Sequence, residues 1–210
     1  MSTLNTEKII QIIDKMAEII IANEVYFCEL DSVAGDGDFG MSVAKGFKQL
    51  KTEWDDLSTD NIGAFLKDAG MIITEFCGGA SGPIWGSAFR AAAKSAKGKE
   101  EVTLAEFADM MEAAVAGIQK RGKAQLGDKT LLDALIPFGV ALRDGAKDGI
   151  DLKEAFVNAA KAARDGAELT KTMVAKRGRA SYVGERSLTH PDAGAMALGI
   201  IFTGIVESFQ

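Results

Sequence analysis

The sequence predicts an all-α fold, and three observations carry that expectation. Apolar side chains recur at three- and four-residue spacing over most of the chain. Helix start signals stand where that spacing begins. Runs of alternating apolar and polar residues are missing, and alanine fills places where strands would favour valine, threonine or aromatic residues.

The elements follow in order. From Thr6 to Phe27, Ile9, Ile13, Met16 and Ile20 mark one face of a long amphipathic helix. A shorter one is expected over Met41 to Leu50. After Asp60, suited to cap the exposed amides, Ile62, Phe65, Leu66, Ala69, Ile73 and Phe76 continue the pattern. Pro83 to Lys97 gives a further helix, and Thr103-Leu-Ala-Glu106 is a capping-box sequence ahead of Phe107, Met111, Ala114 and Ile118. Lys129 to Ala146 is helical, with Pro137 expected to bend it. Asp151 and Glu154 open the next helix, and Ala193 to Ser208 is the last, for about eight in all. No linker or repeat divides the chain, so one domain over residues 1–210 is expected.

Composition narrows the function. Net charge is −6 and 47% of residues are hydrophobic, which disfavours nucleic acid as a partner and excludes disorder. Cys28 and Cys77 lack CxxC spacing, fitting reduced cytosolic thiols rather than a zinc or redox site. The first residues lack a secretory signal, and the most apolar tract, Gly194 to Val206, is too short to cross a bilayer. A soluble, cytoplasmic protein acting on small molecules is expected. Glycine supplies 23 of 210 residues, about 11% against a typical figure near 7%, and much of it gathers in four loops between helices.

The first loop, Asp31-Ser-Val-Ala-Gly-Asp36-Gly-Asp38-Phe-Gly40, crowds three carboxylates among small residues. Two carboxylates about 5 Å apart at an effective dielectric near 20 repel by roughly 3 kcal/mol, so the cluster calls for a counter-charge. Mg²⁺, with its preference for oxygen ligands, supplies one. An EF-hand fails on spacing, because its fifth and twelfth positions would be Gly40 and Phe47. The competing reading is an acidic surface turn, which the third aspartate disfavours. The second loop, Gly78-Gly-Ala-Ser81-Gly-Pro83, leads into a helix start that suits a phosphate, or is an ordinary capped turn.

The third loop, Gly122 to Thr130, nearly spells the Walker A pattern, but Asp128 intrudes and the segment follows a helix rather than a strand. A P-loop is rejected; backbone contact with phosphate or a polar helix connection remain the alternatives. The fourth loop, Lys176 to Gly194, concentrates arginines in an acidic protein. Guanidinium groups there match phosphate oxygens, against the alternative of a solvated basic turn. His190, the single histidine, is expected to hydrogen-bond within the loop.

Asp31 with the GDGD run, Gly78 to Pro83, Arg121 to Thr130, and Arg177 to Arg186 with Asp192 together resemble the nucleotide-binding L subunit of bacterial dihydroxyacetone kinase (DhaL), along essentially the whole chain. The resemblance implies an eight-helix antiparallel barrel with the nucleotide at one rim. It implies two Mg²⁺ ions on Asp31, Asp36 and Asp38. Nucleotide contacts (ADP or ATP) are carried by position onto Phe39, Gly40, Met41, Ser42, Ala80, Ser81, Gly122, Leu131, Arg179, Asp192, Ala193 and Gly194. The family often has histidine where this chain has Phe39, which cannot hydrogen-bond a phosphate.

The stand-alone length resembles the phosphoenolpyruvate-dependent system, a phosphoenolpyruvate–glycerone phosphotransferase. There the DhaM phosphocarrier phosphorylates bound ADP, and the phosphoryl group passes to dihydroxyacetone on DhaK. Phosphoryl transfer needs positioning and charge neutralisation, so Arg179 is the candidate catalytic residue. Two alternatives come with the resemblance: an ADP-loaded partner of a transcriptional regulator, and a nucleotide domain serving another acceptor such as a fatty acid.

Overall fold

A computed structural model of the chain describes residues 3–209. Met1, Ser2 and Gln210, which belong to the expected domain, lie outside the described residues. Nine α-helices are present among them: α1 (Thr6–Ala22), α2 (Glu24–Ser32), α3 (Phe39–Thr52), α4 (Ile62–Phe76), α5 (Ser81–Ser95), α6 (Leu104–Gly122), α7 (Leu132–Asp148), α8 (Leu152–Leu169) and α9 (Ala193–Ser208).

Eight of these close a ring. α1 packs on α3, then each helix on the next from α3 to α9, and α9 returns to α1, while α2 is an extra piece lying on α3 and α9. Short connections turn the chain back at each end, so neighbours run antiparallel. The longest connection also folds back on itself, since the Asp192 N–H donates to Thr170 Oγ1 at 2.8 Å, so α9 begins where α8 ends. The expected barrel is therefore present. As a consequence α3, α5, α7 and α9 all begin at one rim, and their unpaired N–H groups and positive dipole ends face that rim.

The inward faces make the core. Phe27, Phe47, Phe65 and Phe138 are fully buried. Phe138 stacks on Phe202 with ring centroids 3.8 Å apart, and Phe47 meets Trp85 edge-on at 5.8 Å. An apolar cavity of about 110 Å³ remains, lined by Ile13, Met16, Trp85, Phe107 and Phe138 among others.

Four expectations are corrected. The first helix does not run unbroken to Phe27: Asn23 leaves helical geometry, its side-chain and backbone N–H groups both bonding the Ile19 carbonyl, and the chain restarts as α2. Asparagine amides compete with the helix ladder in this way. Asn61, not Asp60, caps α4, accepting from the Ala64 N–H at 3.0 Å. The helix expected from Lys129 begins at Leu132, because Lys129 itself takes φ +61°. A small antiparallel pair also exists, β1 (Thr3–Asn5) with β2 (Glu101–Thr103), registering Leu4 against Val102 at the barrel end opposite the rim.

Other signals hold. The capping box at Thr103 has both halves, and Asp151 caps α8 through the Lys153 and Glu154 N–H groups. α7 continues through Pro137. Proline there cannot donate to the Asp133 carbonyl, and Gly166 of α8 comes so close that a Cβ would lie 2.1 Å from that oxygen.

Candidate functional site

The four glycine-rich loops meet at the rim where the descending helices begin. The Gly78 N–H donates to the Ser42 carbonyl at 3.0 Å, joining the second loop to the start of α3. The Lys176 N–H donates to the Asp128 carbonyl at 3.1 Å, joining the fourth loop to the third. Arg179 forms an ion pair with Asp36, joining the fourth to the first.

Asp31, Asp36 and Asp38 each offer an oxygen, and these lie within 4.8 Å of one another. Local chain geometry builds the cluster. Asp31 ends α2 and accepts the Gly37 N–H at 2.9 Å on its side chain and the Gly35 N–H at 2.6 Å on its carbonyl. Gly35 has to be glycine, since a Cβ would sit 2.2 Å from Asp31 Oδ1. Gly37 takes φ +74°, which swings Asp36 and Asp38 to one side. The donor set is oxygen only, and Arg179 partly offsets the charge. These residues fit a hard divalent cation.

Loop three is shaped by buried charge. Asp133, 1% exposed, accepts the Gly127 N–H at 2.6 Å and the Thr130 N–H at 2.7 Å. Asp128 faces the Gln125 N–H, Lys176 and Arg177; burial works to raise its pKa, but these donors hold it below the usual value. Lys129 is buried, and its ammonium is taken up by backbone carbonyls rather than held out toward a phosphate. The rejection of a P-loop therefore stands on geometry as well as pattern.

Loop four is not featureless, as a 3₁₀ turn spans Thr170–Thr172 and another segment, Arg179–Ser187, breaks at Gly184. Asp192 caps α9, accepting the Ala195 N–H at 2.8 Å. Burial pushes its pKa up to about 7, with Asp133 and Asp31 adding to the rise. The bonding expected of His190 comes from its carbonyl, which accepts from Lys129.

The remaining expected residues sit along this rim. Phe39 turns its ring inward against Phe27, centroids 6.2 Å apart, so only its backbone faces the site. Gly40 is buried where a Cβ would meet the Glu24 carbonyl at 2.0 Å. Met41 is exposed, and Ser42 lies under Gly78. Ala80 and Ser81 open α5. Gly122 ends α6 against Ile84 of α5, and Leu131 touches Gly194 at the starts of α7 and α9, beside Ala193. Asp133 and the burial of Lys129 were not singled out; the signal for Asp133 is its place three residues after Thr130, a capping-box spacing.

A family model described as the DAK2 domain matches residues 33–207. The chain belongs to the DAK2 family. It is 38% identical over 204 residues to "PEP-dependent dihydroxyacetone kinase 2, ADP-binding subunit DhaL" of Listeria innocua, covering 95% of this chain and 93% of that protein. It is 34% identical over 196 residues to the corresponding ADP-binding subunit DhaL of Escherichia coli, covering 93% of each. The larger human triokinase/FMN cyclase is 33% identical over 201 residues, of which this DAK2 chain spans 34%. Among solved structures, the dihydroxyacetone kinase of C. freundii in its native form superposes with a TM-score of 0.76 at 26% identity, over 95% of this chain and 34% of that one. The same enzyme has been solved with AMP-PNP and Mg²⁺, at a TM-score of 0.76 and 24% identity, over 99% of this chain and 35% of that one.

Proposed function

We propose that this chain is the ADP-binding subunit of a phosphoenolpyruvate-dependent dihydroxyacetone kinase, acting as one nucleotide-binding domain over residues 1–210. The observation that carries the proposal is the cluster of Asp31, Asp36 and Asp38 on a rim where four helices begin. Relatives alike over nearly their whole length are named as ADP-binding subunits, and a fold relative binds AMP-PNP with Mg²⁺.

In this reading Asp31, Asp36 and Asp38 hold two Mg²⁺ ions, which when bound neutralise the phosphate oxygens. The chain does the positioning. Backbone N–H groups at Phe39 and Gly40, at Ala80, and at Ala193 and Gly194 stand at the starts of α3, α5 and α9 and offer donors aided by the helix dipoles. Met41, Ser42 and Ser81, whose own N–H groups donate to Cys28 Sγ, the Asp38 carbonyl and the Gly78 carbonyl, border the nucleotide beside them. Gly122, Leu131 and Asp192 border the nucleotide between them. Arg179 exchanges its pairing with Asp36 for the transferring phosphoryl group. No nucleophile is required from this chain. A DhaM phosphocarrier phosphorylates the bound ADP, and a DhaK subunit brings dihydroxyacetone to receive the group, so activity depends on both partners.

Native mass spectrometry of the purified chain tests the proposal, with ADP expected at near one equivalent and lost on chelation of magnesium. A chain that neither carries nor binds Mg²⁺-ADP by calorimetry overturns it.

A further inference from the structure

Lys129 has no part in the scheme above, yet it is the most deeply buried cation among the described residues, 3% exposed. Its Nζ donates to four backbone carbonyls: Ser187 at 2.6 Å, His190 at 2.7 Å, Thr170 at 2.8 Å and Met173 at 3.2 Å. An ammonium has three N–H donors, so every one is shared or satisfied, and the ring of oxygens resembles the coordination of a small monovalent cation. All four acceptors belong to one connection, the segment between α8 and α9. They fall near both its ends, and Arg179 lies on the stretch between them. The Lys129 backbone is set for this task in the left-handed region, φ +61°, braced by Asp128 and Asp133 on either side.

We infer that Lys129 is a positioning residue: its ammonium is an internal counter-ion around which residues 170–190 fold, fixing where Arg179 and Asp192 stand. The other links that hold the segment are separate bonds along it: the Asp192 N–H to Thr170 Oγ1, the Thr189 N–H to the Lys171 carbonyl, the Lys176 N–H to the Asp128 carbonyl, and Ser187 Oγ accepting the Ala175 N–H and donating to the Gly184 carbonyl. Lys129 gathers four of the segment's carbonyls at one point. The segment's apolar members Val174 and Tyr182 are exposed. Removing the ammonium leaves carbonyls turned inward without a donor, and such groups are better hydrated in an opened loop. The consequence for function rests on the nucleotide reading of Arg179 and Asp192; the folding of the segment does not.

The test uses the full chain with Lys129→Ala, which removes three methylenes and the ammonium, the outline of n-propylammonium. An arginine-specific protease reports on the segment through Arg177, Arg179 and Arg186, independently of nucleotide. Lys129→Ala is expected to keep its helicity but to be cut at these arginines roughly tenfold faster or more. Added n-propylammonium restores protection and tetramethylammonium, which has no N–H, does not. Lys129→Met fills the space without a donor and is expected to be cut fast with no rescue. A Lys129→Ala chain that unfolds but is refolded by n-propylammonium supports the inference equally. Cleavage of both variants within about twofold of wild type overturns it, as does a Lys129→Ala chain, folded or not, on which n-propylammonium has no effect. Mg²⁺-ADP titration runs alongside. If wild type fails to bind, the nucleotide reading falls while the protease result still decides Lys129. If wild type binds, Lys129→Ala should bind at least about tenfold more weakly and regain affinity with n-propylammonium.

Discussion

Arg179 reaches from the fourth loop to pair with Asp36 in the first, so the arginine proposed for phosphoryl transfer rests on a proposed metal ligand. The pair is largely solvent-exposed on the arginine side and contributes little to stability, where exposed ion pairs measure about 0–1 kcal/mol. Arg179→Ala should therefore leave the melting temperature of the free protein nearly unchanged. Phosphoryl transfer from phosphoenolpyruvate through the partner subunits should fall by roughly 10³-fold, the lower range for arginines that stabilise this transition state. A variant that binds ADP normally and transfers at the wild-type rate removes Arg179 from the mechanism.

Asp36→Ala separates metal binding from folding. Without ligand it loses the Arg179 pairing but also sheds repulsion from Asp31 and Asp38, so its melting temperature should stay close to that of wild type. Ligand at about 100 times its Kd raises wild-type stability by roughly 2.7 kcal/mol. Calorimetry with Mg²⁺ and ADP should show that increment in wild type and less than half of it in Asp36→Ala.

The capping box supplies a pH dependence. Glu106 is held down to about 2 from the ordinary 4.5, first by the Lys99 ammonium at 2.7 Å, then by the Thr103 N–H and hydroxyl. A carboxylate whose folded pKa is depressed stabilises above its unfolded pKa, and that gain is lost as pH falls from about 4.5 toward about 2. Because Glu106 is 37% exposed, solvent screening limits the gain to roughly 0.5–1 kcal/mol. Urea midpoints of wild type and Glu106→Gln should differ at neutral pH and converge in acid.

The two thiols should react differently. Cys77 is buried against Gly46, and burial pushes its thiol up to about 12, leaving almost no thiolate at neutral pH. Iodoacetamide on the native protein should modify Cys28 alone, and Cys77 only after denaturation, as peptide mass spectrometry would read. Rapid native labelling of Cys77 contradicts this packing.

The helices were legible because their signals are local. Ile9, Ile13, Met16 and Ile20 face inward at helical spacing, and Thr103 with Glu106 forms the box that its letters spell. The breaks were less legible, since Asn23 interrupts a continuous apolar stripe through a side-chain hydrogen bond that periodicity does not register. Asp31, Asp36 and Asp38 could be found because like charges crowded in sequence demand an explanation. Lys129 could not, as a lysine after aspartate in a polar loop suggests solvent or a surface ion pair. Its actual partners are carbonyls up to 61 residues away, which carry no side-chain signature.

Gly166 offers the sharpest test of how α7 and α8 pack. Proline at 137 withholds the N–H that would normally cover the Asp133 carbonyl, and the Gly166 backbone fills that space. A Cβ at 166 would lie 2.1 Å from that oxygen and 3.2 Å from Pro137 Cγ, and since the first obstacle is backbone, the helices have to separate. On helix propensity alone Gly166→Ala would stabilise by up to about 1 kcal/mol. Overpacking of this kind costs about 1–3 kcal/mol, occasionally more, and should prevail. Asp133 also shapes the third loop through the Gly127 and Thr130 N–H groups, so displacement of α7 carries to the rim. Gly166→Ala is expected to lower the urea midpoint and to weaken Mg²⁺-ADP binding together. A variant as stable as wild type would show that α7 and α8 do not approach as closely as this packing requires.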